Sequence, residues 1–157
     1  MKNNIAGTIL IADDDADDRM LIEDAFIENH IVNPLMFVED GEQLLQFLCR
    51  EGEFESLKAE PLPALIILDL NMPKIDGRAA LDAIKNNKEL RIIPVIVMTT
   101  SKAEEDIFRT YDLGVNSFIS KPISFDELVE IVSAIGKYWT QVVALPSRLN
   151  LPLTDRV

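Results

Sequence analysis

Apolar residues along this chain fall into two kinds of run, and the two kinds alternate. Short unbroken runs occur at Ile9-Leu10-Ile11-Ala12, Leu35-Met36-Phe37-Val38, Leu65-Ile66-Ile67-Leu68 and Val95-Ile96-Val97-Met98, with a weaker one at Ser117-Phe118-Ile119. Four apolar residues with no polar one between them suit a strand covered on both faces, as in a parallel sheet. Between these runs the apolar residues take helical spacing. Examples are Ile22, Ala25 and Phe26, then Leu44, Leu45, Phe47 and Leu48, then Leu81 and Ile84, and finally Leu128, Val132, Ile135 and Trp139. Strand and helix alternate five times, which predicts a parallel sheet with helices on both faces and right-handed crossovers.

Start and stop signals sharpen the boundaries. Asn29 and Asn33-Pro34 close the first helix, Asp40 with Gln43 opens the second, and Asp76-Gly77 opens the third, which ends near Asn86-Asn87. Ser101 with Glu104 predicts a capping box for a helix over 103–113, with Gly114 at its carboxyl end, and Ser124 with Glu127 predicts another. The polar stretch 51–63, carrying Pro61 and Pro63, reads as a long exposed connection.

Length and composition narrow the class. A chain of 157 residues, 48% hydrophobic and 27% charged, is one ordinary globular domain. No apolar run approaches the ~20 residues that span a bilayer, and the amino terminus is too short and acidic for a secretory signal. A single cysteine, Cys49, in a helical apolar pattern excludes a disulfide framework or zinc cluster and suits core packing. These features together predict a cytoplasmic protein with no membrane contact. The net charge of −12 argues against nucleic acid as a partner. Six acidic residues crowd into positions 13–23, and that clustering requires a cause.

The cause lies at the strand ends. Strand one runs into Asp13-Asp14-Asp15, strand three into Asp69, strand four into Thr99, and strand five is followed by Lys121-Pro122. In a doubly wound sheet these ends share one edge, where sites are built. Carboxylates about 4 Å apart repel by roughly 4 kcal/mol per pair at an effective dielectric of 20, so a cation must offset them. A hard divalent ion with few carboxylates and several retained waters, Mg²⁺, fits, and Lys121 adds a point charge toward anions. A metal, a lysine and a hydroxyl around one carboxylate describe a phosphoryl-transfer site with Asp69 as nucleophile. The metal at Asp14 and Asp69 would occupy one side of the phosphoryl group, Lys121 would hold a second oxygen, and the Thr99 hydroxyl would donate to a third.

These residues bring the chain to a resemblance. Over residues 8–139 it resembles a response-regulator receiver domain, the phosphoacceptor of two-component signalling. The resemblance rests on the strand into Asp13-Asp14, the run 65–77 with Asp69 and Pro73, Thr99, and Lys121-Pro122, all in order. It implies a flavodoxin-like α/β fold, a doubly wound five-stranded parallel sheet in the order 2-1-3-4-5 with five helices, as in the chemotaxis receiver. It implies phosphorylation of Asp69 by a sensor histidine kinase. It also implies Mg²⁺, with Mn²⁺ as a substitute, bound directly by Asp14, Asp69 and the backbone carbonyl of Asn71, and through water by Asp13. Lys121 would bind the phosphoryl group, and the Lys121–Pro122 bond is often cis in such domains. Thr99 would move toward the phosphate with Phe118 rotating inward, remodelling the surface of the fourth helix, fifth strand and fifth helix. Such a chain is no enzyme beyond its own phosphorylation and dephosphorylation.

Two departures matter. The residue after Thr99 is usually small, and here it is Thr100, which we expect to narrow access to the phosphate and slow hydrolysis. Asn71, two residues past the acceptor, is a second position that tunes hydrolysis. A magnesium-dependent phosphatase with an aspartyl nucleophile would need a general acid at that position, and Asn71 cannot serve. A flavin phosphate would be repelled by Asp13-Asp14-Asp15, and no glycine-rich nucleotide loop is present. Asp15, Asp17 and Asp18 read as helix-start acids that favour the dipole, and His30, the only histidine, as a surface residue at a helix end. The phosphoryl group must then come from a partner or a small donor.

The segment 140–157 carries Val142, Val143, Leu145, Leu149, Leu151 and Leu153, with Pro146 and Pro152 barring a continuous helix. The division expected is a receiver over 1–140 and an extension over 141–157 too short for a DNA-binding output domain. Such a protein acts by contact with a downstream protein that the sequence does not name. The long 51–63 connection and the Tyr138-Trp139…Leu145-Pro146 ending resemble the small receivers paired with phytochrome-type histidine kinases, whose carboxyl-terminal region supports a homodimer. The other function the fold allows is a constitutive protein-binding module without phosphate turnover.

Overall fold

The unbroken apolar runs form the centre of the sheet in the computed structural model, which describes residues 7–139. The strands are β1 (Ile9–Ala12), β2 (Leu35–Val38), β3 (Leu65–Leu68), β4 (Val95–Thr99) and β5 (Ser117–Ser120). The helices are α1 (Ala16–Glu28), α2 (Gly41–Cys49), α3 (Gly77–Lys85), α4 (Glu104–Leu113) and α5 (Phe125–Lys137). All strand pairs are parallel, in the order β2-β1-β3-β4-β5. This is the doubly wound, five-stranded, flavodoxin-like α/β architecture that the sequence predicts.

Every residue of β1, β3 and β4 is buried, whereas the edge strands β2 and β5 are partly exposed. The runs look continuous in sequence because both faces are covered, but alternate residues serve different cores. Leu10, Ile66 and Val95 face the core shared with α2 and α3, where Leu44, Leu48, Leu81 and Ile84 are fully buried. Ile9, Ile67 and Ile96 face the other core, with Phe26 of α1 and Val132 of α5. Fully burying one such side chain contributes roughly 1.5–3 kcal/mol, so these two layers fix the register.

Helix α4 is the exception. Its buried residues are Asp106 and Thr110, and its apolar contribution to the core is the partly buried Leu113. The capping box expected at its start does not form. The helix starts later than expected, with Ala103 as the N-cap and no side-chain acceptor there, while the Ser101 hydroxyl, two residues earlier, donates to Asp106 at 2.6 Å. Gly114 closes α4 in the left-handed region at φ 103°. The Ser124 cap of α5 forms as expected, with the Glu127 N–H donating to Ser124 Oγ at 3.2 Å.

Two other expectations need correction. The connection 51–63 is not simply exposed. Gly52–Leu57 is a 3₁₀ turn, Phe54 and Leu57 pack on the core, and Leu62 is buried. Phe54 lies edge-on to Phe47 at 5.2 Å between ring centroids. Buried Arg50 ties both ends of the connection, donating to the Phe47 and Pro61 carbonyls at 2.7 Å each. The second correction concerns the Lys121–Pro122 bond, which is trans, since no peptide among the described residues is cis. Trans is the ordinary form of an X–Pro bond, and Lys121 reaches its partners from it. Cys49 packs partly buried against the core, as expected. The segment 140–157, with the extension and the homodimer expected of it, lies outside the described residues.

Candidate functional site

The parallel ladder carries each site residue to the same edge. Ala12 pairs with Leu68, Leu68 with Val97, and Thr99 with Ser120. The ladder then extends one residue beyond the strands. The Asp13 N–H donates to the Val38 carbonyl at 3.1 Å, the Asp69 N–H to the Ala12 carbonyl at 3.0 Å, and the Lys121 N–H to the Thr99 carbonyl at 2.9 Å. Asp13, Asp69 and Lys121 are therefore held by backbone bonds before any side-chain contact is counted.

Gly77, at the start of α3, lets this edge close. A Cβ there would collide with the Asp69 carbonyl oxygen and lie 2.5 Å from Leu70 Cα. The Gly77 N–H donates to the Leu70 carbonyl at 2.9 Å, and the Asn71 N–H donates to Asp69 Oδ1 at 3.1 Å. The loop after β3 is thus folded tightly back onto the strand that ends in Asp69.

The Lys121 ammonium sits among three carboxylates. It donates to Oδ2 of Asp13 and of Asp69 at 2.8 Å each, and to Asp18 Oδ2 at 2.7 Å. Burial alone would lower its pKa, but the bonds to Asp13, Asp18 and Asp69 overcome this and raise it. These bonds favour the charged ammonium. Burial pushes the Asp13 carboxyl up, against the opposing pull of Lys121 and of the Asp15 N–H. One carboxylate oxygen from each of Asp13, Asp14 and Asp69 lies within 4.8 Å of the others, with Asp14 exposed and the other two buried. Four carboxylates and one ammonium leave a balance of three negative charges (four minus one) at this edge. That excess, the all-oxygen donor set and the open side at Asp14 fit a hard divalent cation.

Thr99 is fully buried and Thr100 is exposed. The Asn71 side-chain amide donates to both hydroxyls, at 3.4 Å to Thr99 Oγ1 and 3.3 Å to Thr100 Oγ1. The Ser101 N–H also points to Thr99 Oγ1, at 3.4 Å. These long bonds hold the Thr99 oxygen loosely as an acceptor. Phe118 is half-buried against the core, and its N–H donates to the Tyr111 hydroxyl at 3.1 Å.

Asp13, Asp14, Asp69 and Lys121 thus converge, with Asn71 and Thr99 alongside. Two features escaped sequence reasoning. Asp18 was read as a helix-start acid, yet it binds Lys121, while Asp15 alone caps α1 by accepting from the Asp17 and Asp18 N–H groups. Its position one turn beyond Asp14, on the side of the helix facing the strand ends, was the available signal. The other is a cluster beside Thr99. Arg78 of α3 makes a bidentate pair with Asp106 of α4 at 2.7 Å for both bonds, and Ser101 donates to the same carboxylate. Arg78 lies 28 residues from Asp106 in sequence, so no local pattern announces the pair.

This fold, with acids at the ends of β1 and β3 and a lysine after β5, is that of a receiver-type signalling module. The chain belongs to the response regulator receiver domain family, matched over residues 9–133. Membership makes it a two-component signalling protein with a histidine kinase as partner, in a family where phosphorylation of an aspartate is general. It is 37% identical over 146 residues to Response regulator Rcp1 of Synechocystis sp., covering 93% of this chain and 97% of that protein. Among solved structures it is similar to the phosphorylated cyanobacterial phytochrome response regulator RcpA, at 38% identity and TM-score 0.83, covering 90% of this chain and 99% of that one. It is also similar to the Mn(2+)-bound form of Rcp1, at 38% identity and TM-score 0.81, covering 89% and 99%. No helix among the described residues is long and apolar enough to cross a membrane.

Proposed function

We propose that this protein is a response regulator that accepts a phosphoryl group on Asp69 and signals by protein contact. The observation that carries the reading is the Lys121 ammonium 2.8 Å from Asp69 Oδ2, beside acidic oxygens of Asp13 and Asp14 within 4.8 Å. An Asp69 oxygen attacks the phosphorus of a phosphohistidine. The nitrogen–phosphorus bond breaks, its electron pair stays on the imidazole, and that nitrogen takes a proton from solvent. Lys121 turns from the carboxylates to the phosphoryl oxygens, and Asp18 keeps hold of the ammonium as its other partners change. Asp14, Asp69 and the Asn71 carbonyl would bind Mg²⁺ directly and Asp13 through water, with Mn²⁺ as substitute. The bound ion supplies positive charge for the phosphoryl oxygens.

Thr99 donates its hydroxyl to the phosphoryl group, and Phe118 follows inward, changing the face formed by α4, β5 and α5. Similarity to a phytochrome response regulator supports a phytochrome-type kinase as donor. A downstream protein, or a second copy of the chain, reads the changed face.

The test is intact-mass measurement after incubation with acetyl phosphate, with and without Mg²⁺, on wild type and Asp69→Asn. One added phosphate that needs both the metal and Asp69 is the expected result. No adduct under any condition would leave a constitutive protein-binding module instead. Light scattering at micromolar protein, with and without phosphate, decides the homodimer.

A further inference from the structure

Helix α4 is seated mainly through polar groups, and those groups converge on the turn that carries Thr99. Asp106 accepts two 2.7 Å bonds from Arg78 of α3 and a 2.6 Å bond from the Ser101 hydroxyl. Two parallel bonds from one guanidinium fix both the position and the plane of a carboxylate. Ser101 is anchored by this fixed group, two residues beyond Thr99, and its N–H points back to Thr99 Oγ1. The Thr110 hydroxyl donates to the Asp106 backbone carbonyl at 2.8 Å, which ties the helix turn that carries Asp106 but does not touch its carboxylate.

We propose that Asp106 is a positioning residue for Thr99: clamped by Arg78, it holds Ser101 and keeps the 99–103 turn in its unloaded form. The inference rests on Asp69 being the phosphoacceptor. Drawing the Thr99 hydroxyl to a phosphoryl oxygen on Asp69 pulls the turn with it. The Ser101 hydroxyl cannot follow while it stays 2.6 Å from a carboxylate fixed to α3. Loading and the Ser101–Asp106 bond therefore oppose each other, and a contact made in only one of two states shifts the balance between them. Arg78 and Asp106 set how readily Asp69 takes and keeps its charge without touching it.

The test uses beryllofluoride, which mimics an aspartyl phosphate, titrated by calorimetry into the Mg²⁺-saturated full-length protein. Ser101→Ala removes one bond and leaves the Arg78–Asp106 pair intact. Asp106→Asn weakens the whole clamp. Loss of one hydrogen bond to a charged group predicts about ten- to a hundredfold tighter beryllofluoride binding for Ser101→Ala. The same direction is expected for Asp106→Asn, and Mg²⁺ affinity without beryllofluoride should be unchanged in both. Unchanged or weaker beryllofluoride binding in a folded Ser101→Ala protein would overturn the proposal. So would a parallel shift in Mg²⁺ affinity, which would mean general loosening of the site. A wild-type protein that binds Mg²⁺ but no beryllofluoride would overturn the Asp69 reading itself, and this inference with it.

Discussion

Gly77→Ala tests how the fold delivers Asp69. The new methyl would stand 2.5 Å from Leu70 Cα and would collide with the Asp69 carbonyl oxygen. Carbon atoms pack at about 3.5–4.0 Å, so the start of α3 must retreat by roughly 1 Å. The atoms it meets are backbone, at the end of a buried strand, and no side chain can turn aside. Overpacking of this kind costs about 1–3 kcal/mol, and the helix preference of alanine over glycine returns less than about 1 kcal/mol at a first-turn position. The net loss, about 1–2 kcal/mol, lowers the melting temperature by about 2–8 °C in a domain of this size. The retreat also loosens the loop that holds Asp69, so phosphate uptake from acetyl phosphate should slow at 25 °C, where the protein remains folded. Gly114→Ala is the matched control. Gly114 has φ 103°, and a Cβ there would meet only Lys85 Cδ, at 4.0 Å. It should lose stability through backbone strain and keep its uptake rate. Melting curves and intact-mass time courses on both variants decide the matter. Equal uptake rates in the two variants would refute the claim that Gly77 closes the site.

Asp106 gives a pH prediction. The bonds from Arg78 and Ser101 hold its carboxyl down at about 2, against 3.8 for a free one. A depressed carboxyl contributes stability above its unfolded pKa and loses it as pH falls toward the folded value, so Asp106→Asn should cost roughly 2 kcal/mol at pH 7. Urea titrations should show that cost shrinking below pH 4, and a pH-independent cost would contradict the assignment. Lys121→Met leaves the clustered carboxylates without their ammonium, so its melting temperature in EDTA should fall by several degrees and recover more than that of wild type in millimolar Mg²⁺. Thr100→Ala should shorten the lifetime of the phosphorylated form, followed by mass, because the exposed Thr100 side chain, tied to Asn71, narrows the approach of water. An unchanged rate would remove that role. Arg50→Ala should leave the sheet intact but expose the 51–63 connection to limited proteolysis, since it deletes both carbonyl bonds that pin its ends.

How far the sequence led depended on whether an interaction is local. The strands were legible because their apolar runs are continuous, and the site because each run ends on a charged or hydroxyl residue that the ladder must carry to one edge. Asp40, Asp76 and Ser124 cap their helices within three residues, so their caps could be read directly. Ser101 has the same local pattern but is not the cap, because α4 starts only after Ala103; its hydroxyl donates to the Asp106 carboxylate and accepts from the Ala103 N–H instead. Asp18 has several helix-start acids for neighbours in sequence, and only the approach of Lys121 from β5 gives it a task. The packing of Phe54 and Leu62 was hidden by the polar residues around them.

The polar seat of α4 has a thermodynamic consequence. Releasing the other helices would expose large apolar side chains, but α4 buries Asp106 and Thr110 and offers the core chiefly Leu113. Heat capacity and denaturant sensitivity both scale with the surface exposed, the first with its apolar part. A rearrangement confined to α4 and its turn therefore carries a small ΔCp and a small m-value. The enthalpy of a rearrangement at α4 should therefore change little with temperature, giving a nearly straight van't Hoff plot where the folding equilibrium of the two cores gives a curved one. The output face can thus be repositioned without drawing on the interactions that keep the sheet folded.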